Sequence, residues 1–188
     1  MKLIVGLGNF PEAYKNTRHN VGFMCVDHWL NKNRLSLITN KFNGWFTKST
    51  NDDGNEFIIA KPYTYMNLSG QFVFSLANFF KIPVDDILII CDDVDIDVGE
   101  IHIKPKGGAN GQKGLKNIID QFTTENIKRI RIGIGRPINK QDMVNYVIGK
   151  FHEEEIDKLS TSINKACTII DDFINGVAFD KIMSKYND

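Results

Sequence analysis

Ile87-Leu88-Ile89-Ile90-Cys91, followed directly by Asp92-Asp93-Val94-Asp95, reads as a strand without a polar face. A strand covered on one side alternates apolar and polar residues. An unbroken aliphatic run is covered on both, the condition of a central strand in a parallel sheet flanked by helices. The acids that close the run then stand where the strand emerges, and ligands of open α/β sheets bind outside the carboxyl ends of strands.

The neighbouring segments supply the rest of such a sheet. Residues 2–8 form a second short apolar strand ended by glycine, and residues 9–18, rich in Asn, Lys and Thr, form a loop. From residue 20 to 33, Val21, Met24, Cys25, His28 and Trp29 recur near helical spacing. Residues 44–49 and 56–61 are predicted strands joined by the turn Asn51-Asp52-Asp53-Gly54. Asn67 or Ser69 is expected to cap a helix with Phe72, Leu76, Phe79 and Phe80 on its apolar face. Ile101 and Ile103 alternate with His102 and Lys104 in another strand, and a helix is expected over 115–122. Residues 128–134 alternate too, with Ile130, Ile132 and Ile134 inward and Arg129, Arg131 and Gly133 outward. An amphipathic helix carries Ile156, Leu159, Ile163, Ala166, Ile170 and Phe173, and Gly176 closes it. Strands and helices alternate without linker, repeat or low-complexity tract. The expected fold is therefore α/β, a single domain over 1–188 with a mixed, mostly parallel sheet flanked by helices.

A chain of 188 residues, 42% hydrophobic and 24% charged, is long enough for a substantial core. It has no apolar run of the roughly 20 residues that span a bilayer and no signal-peptide pattern, so no membrane association and a cytoplasmic location are expected. Cys25, Cys91 and Cys167 are widely spaced and set among apolar neighbours, as buried thiols are. Carboxylates beside Cys91 would raise its thiol pKa and disfavour a nucleophilic role.

Net charge is zero, but the charge is segregated. Asp85, Asp86, Asp92, Asp93, Asp95, Asp97 and Glu100 form a run of acids without a base. Lys104, Lys106, Lys113, Lys116, Lys128, Arg129, Arg131, Arg136 and Lys140 follow, against only Asp120 and Glu125. Such a basic segment suits a polyanion, or is a set of separately solvated charges.

Three loops look polar and able to converge: 9–20, 92–97 and 104–113. Gly6-Leu7-Gly8 invites a dinucleotide-binding reading, but the third glycine of that fingerprint falls at Pro11. Ser69 lacks the Gly-x-Ser-x-Gly frame of a strained nucleophile. His19, His28, His102 and His152 never fall at metal-ligand spacing, so no metal is expected. His19, at a loop-to-helix junction, remains as a general base, with Asp92 or Asp93 near enough to orient it and water as the attacking group. The competing assignment makes His19 a helix cap and Asp92 part of a solvated turn.

The run YKNTRHNVGFMCVD, Tyr14 through Asp27, resembles the first signature of bacterial-type peptidyl-tRNA hydrolases. The opening KLIVGLGN, YMNLSG at 65–70, DDVD at 92–95 and RIRIGIGRP at 129–137 are similar to that family in order and spacing. The resemblance spans essentially the whole chain. It implies hydrolysis of the ester between a peptide and the 3′ end of tRNA, without cofactor, obligatory protein partner or membrane, by a monomer. It implies His19 as base, Asp92 as its support, and Asn9 in telling blocked peptidyl from free aminoacyl substrate. It also implies Tyr14, Tyr65 and Asn67 at the tRNA end or peptide backbone, and Lys104 and Arg131 at the acceptor arm. One departure stands out: Gln112-Lys113 occupies the place of the family's usual His-Asn. Lys113 is expected to meet a phosphate. The rival from another class is a non-catalytic RNA-binding protein on the same scaffold.

Overall fold

The computed structural model describes residues 1–139 and 142–187; Lys140, counted above among the bases, lies outside them. The aliphatic run is the centre of the molecule. Among the described residues the strands are β1 (Lys2–Gly6), β2 (Thr39–Asn40), β3 (Gly44–Thr50), β4 (Glu56–Pro62), β5 (Ile87–Asp93), β6 (Ile101–Lys104) and β7 (Lys128–Gly133). They make one sheet ordered β2-β3-β4-β1-β5-β7-β6. β5 runs parallel to both neighbours, β1 and β7, and β4 is parallel to β1. The short edge strand β2 against β3, the hairpin of β3 and β4, turned at 51–54, and the edge strand β6 against β7 supply the antiparallel pairings.

The helices are α1 (Val21–Lys32), α2 (Ser69–Phe79), α3 (Lys113–Phe122), α4 (Met143–Val147), α5 (Ile156–Ile174) and α6 (Phe179–Tyr186). Alternate residues of β5 enter opposite cores. Leu88 and Ile90 pack with Val21, Cys25, Ile163 and Ile170 on the α1–α5 side. Ile87, Ile89 and Cys91 pack with Phe72, Leu76, Leu115 and Ile118 on the α2–α3 side. Each such aliphatic side chain contributes about 1.5–3 kcal/mol by leaving water, which is why a run with no polar face selects a sheet covered on both sides. No helix among the described residues is long and apolar enough to cross a membrane.

Several local expectations are corrected. Neither Asn67 nor Ser69 caps α2. A 3-10 turn, Met66–Leu68, leads into it, the Ser69 hydroxyl donates to the Met66 carbonyl, and Asn117 of α3 accepts from the Gly70 N–H at 2.7 Å. A cap supplied from a neighbouring helix has no local sequence signal. Phe79 is exposed and rests on Phe42 and Phe80, and His28 is exposed beside Asn164 of α5. The face of β7 read as outward is covered: Arg129 is buried, its guanidinium donating to the carbonyls of Gly107, Gly108 and Glu125. The C-terminal end of α5 is as expected, with Gly176 at φ 77° and the Gly176 and Val177 N–H groups returning to Phe173 and Asp172.

Gly22, in the first turn of α1, brings that helix onto the sheet. A Cβ there would lie 2.5 Å from the Ile90 carbonyl oxygen and 2.6 Å from the Leu7 nitrogen. Only glycine permits this approach, and it carries the turn just before α1 to the end of β5.

Candidate active site

That turn, Arg18–Asn20, holds His19 with its side chain 14% exposed. Nδ1 of His19 lies 2.9 Å from Oδ2 of Asp92, the last-but-one residue of β5. A carboxylate only accepts, so this contact places the ring proton on Nδ1 and leaves the Nε2 lone pair outward. The other carboxylate oxygen of Asp92 accepts from Gln112 Nε2 at 2.9 Å. Gln112 Oε1 in turn accepts from the Leu115 N–H at 2.7 Å, so the same side chain caps α3. The glutamine at the point of departure is thus built into the site: it fixes the carboxylate that fixes the histidine.

Asn9 and Asn20 form a reciprocal pair beside them. Asn20 Oδ1 accepts from the Asn9 N–H at 2.8 Å, and Asn20 Nδ2 donates to the Asn9 carbonyl at 3.0 Å. Asn9 Oδ1 accepts from the Met66 N–H at 2.7 Å, which turns its Nδ2 donors toward an open cleft of about 830 Å³. His19, Asn9, Tyr65, Asn67, Asp92 and Lys113 line that cleft, with Gln112 and Arg136. Met143, Val144, Val147 and Ile148 add an apolar part to the same lining. Gln112 was noted from the sequence only as a departure, Arg136 only as one base of the basic segment, and Asn20 was given no role. The available signals were the polar loops 9–20 and 104–113 for Asn20 and Gln112, and the segment RIRIGIGRP for Arg136.

Tyr14 and Lys104 are not brought into the cleft. Tyr14 ends a short 3-10 turn, Glu12–Tyr14, and is not among the residues that line the cleft. Lys104 is exposed and pairs in register with Arg129, at the end of β7 opposite to the Asp92 end. β6 is antiparallel, so it leaves the sheet at the wrong end, and the following residues must return along β7 to deliver Gln112. Arg131 is 11% exposed in its side chain and donates to Asp93 Oδ2 at 2.8 Å.

The acidic and basic runs largely neutralise each other. Arg131 pairs with Asp93, Arg136 with Asp95, and Lys128 with Asp85. The hydrogen bond from Arg136 holds the Asp95 carboxyl below its ordinary pKa. Lys104, Lys106 and Lys113 are exposed, and no ion pair joins them to an acid among the described residues. The cysteines are buried and free, and burial raises all three thiols, Cys167 to about 11. At Cys91 burial outweighs the added effect of Asp92 and Asp93. Among the described residues no three of His, Cys, Asp and Glu cluster to hold a metal.

The model of the peptidyl-tRNA hydrolase family matches residues 3–188. The chain belongs to that family. Peptidyl-tRNA hydrolase of Malacoplasma penetrans is 48% identical over 185 residues, covering 98% of this chain and 97% of that one. The enzyme of Mycoplasmoides gallisepticum is 46% identical over 188 residues, with both chains fully covered. Among solved structures, peptidyl-tRNA hydrolase of Acinetobacter baumannii superposes with a TM-score of 0.92 at 34% identity, covering 100% of this chain and 96% of that one.

Proposed function

We propose that this member of the family hydrolyses the ester joining a peptide, or an N-blocked aminoacyl group, to the 3′ ribose of tRNA. The contact of His19 Nδ1 with Asp92 carries the reading, because it leaves Nε2 basic and directed to the cleft. Water attacks the ester carbonyl carbon while Nε2 takes its proton. The tetrahedral intermediate then expels the ribose oxygen, which recovers the proton from His19, leaving deacylated tRNA and a peptide carboxylic acid that loses its proton to solvent. Asp92 stabilises the imidazolium formed between the two steps, and Gln112 keeps Asp92 in place. The Asn9 amide is a neutral donor suited to a substrate carbonyl, a preference for blocked over free α-amino groups. Asn67 and Tyr65, in the lining of the same cleft, are assigned to the substrate backbone and the tRNA end.

Lys113, exposed at the first turn of α3, is assigned to a phosphate of the tRNA end, and exposed Lys104 to the acceptor arm. Arg131 is already committed to Asp93 and is assigned to holding that carboxylate. Tyr14 shapes the loop that carries His19, its carbonyl accepting from Thr17. The chemistry calls on no metal or cofactor, and we expect a cytoplasmic monomer. The deciding assay is release of N-acetyl-aminoacyl groups from tRNA, with free aminoacyl-tRNA as control. Rapid release from the first alone is expected. Binding of both without release would replace the enzyme with an RNA-binding protein.

A further inference from the structure

Arg18, beside His19 in the same turn, is 3% exposed. Its guanidinium lies over the Tyr146 ring, 4.1 Å from the centroid, and Nη1 donates to the Tyr146 carbonyl at 3.2 Å. Nη2 donates to Glu155 Oε1 at 3.3 Å, while Glu155 also accepts from the His152 N–H at 2.8 Å. The Arg18 N–H donates to the Gly149 carbonyl at 2.9 Å. A Cβ at Gly149 would come within 3.1 Å of Nη1, so glycine leaves the room the guanidinium occupies. Tyr146 is fastened a second time, its hydroxyl donating to the Ile134 carbonyl just past β7 at 2.6 Å.

Tyr146 belongs to α4, whose other side forms the cleft wall of Met143, Val144, Val147 and, just beyond the helix, Ile148. Val144 is 68% exposed and Ile148 38%, while Met143 and Val147 are part-buried, Val147 against the core on the α1–α5 side. A five-residue helix with a part-exposed apolar face has little stability of its own. Besides the contact of Val147 with the core, its position is set from the side that carries Tyr146.

We propose that Arg18 is a positioning residue which fixes this apolar wall at a set distance from His19, and that the wall receives the acyl half of the substrate. The inference rests on the hydrolytic reading above and goes beyond it by assigning the two halves of the substrate. An aliphatic wall offers nothing to a phosphate, whereas Lys113, elsewhere in the lining of the same cleft, is a cation. Apolar contact also accepts side chains of many shapes without requiring one peptide sequence.

The test compares N-acetylglycyl-tRNA with N-acetylleucyl-tRNA on the wild type, Arg18→Lys and Tyr146→Leu. Arg18→Lys keeps a charge for Glu155 but loses the planar fork and stack. For the leucyl substrate, KM should rise about tenfold, the scale of one lost side-chain burial, with kcat within about twofold. The glycyl substrate should change by less than about threefold, and the acid limb of the pH profile should stay in place. Tyr146→Leu should reproduce the KM effect, and the double variant should add little to either alone. Should Arg18→Lys fail to fold, an unchanged KM in folded Tyr146→Leu overturns the proposal. Equal KM increases for both substrates overturn the acyl assignment. A lower kcat with a displaced acid limb would mean that Arg18 acts on His19 itself, and overturns the wall. A wild type that cleaves neither substrate defeats the hydrolytic reading, and this inference with it.

Discussion

Asp92 and Asp93 are consecutive, both nearly buried, and held in opposite ways. Asp92 meets a histidine and a neutral amide, His19 and Gln112. Asp93 meets an arginine, Arg131, with the Asn110 amide as a second donor at 3.3 Å. A permanent cation satisfies Asp93 in every protonation state of the cleft. The charge of Asp92 is offset only when His19 gains a proton. Two chemically identical groups at the end of one strand therefore divide into a structural anchor and a responsive partner, and the sign and lability of the neighbour make the division.

The largest expected effect is on the Asp92 side. His19→Ala should fold normally and lose about 100- to 10,000-fold in turnover, the range that general-base catalysis supplies. Near-normal turnover by the folded variant would remove His19 from the mechanism and leave Asp92 as structural as Asp93. Arg131→Met should do the reverse. Removing one partner of a buried ion pair costs about 3–5 kcal/mol in stability, read as a lower midpoint in urea. Turnover per folded molecule should hold, and a specific loss of turnover without destabilisation would erase the distinction between the two acids.

Gln112→Leu lies between these extremes, because Gln112 serves both the site and the fold. Loss of a hydrogen bond to a charged group, about 1.5–3 kcal/mol, should lower kcat roughly tenfold or more. Loss of the α3 cap should cost about 1 kcal/mol of stability. Glutamine-like turnover in the leucine variant would show that Asp92 needs no second support. The smallest effect belongs to Lys113→Asn. Binding to deacylated tRNA should weaken, and its salt dependence should fall by about one phosphate contact while single-turnover cleavage is kept. An unchanged salt slope would leave Lys113 a solvated charge, and slower cleavage at constant binding would move it to the reaction centre.

Much of this was legible in the chain. The aliphatic run at 87–91 required a strand covered on both faces, the 51–54 turn required a hairpin, and Gly176 closed the last long helix, because these depend on local periodicity and local backbone conformation. The TRHN segment and its companions pointed to the family, and His19 with them. The sequence left open whether Asp92 or Asp93 reaches His19. It did not show which side α1 covers, and that alone makes Asp92 the partner of His19, 73 residues away. The pairing of the acidic run with Arg131 and Arg136 was hidden for the same reason, so the basic segment looked freer than it is. The antiparallel course of β6 carries Lys104 to the far end of the sheet, although it reads as the start of a cleft loop. Asn117 capping α2, Gln112 supporting Asp92 and Arg18 clamping α4 likewise exist only once helices pack. Periodicity fixes which face a residue takes, but its partner is set by the close packing of distant elements, where one glycine at position 22 decides how near a helix can come.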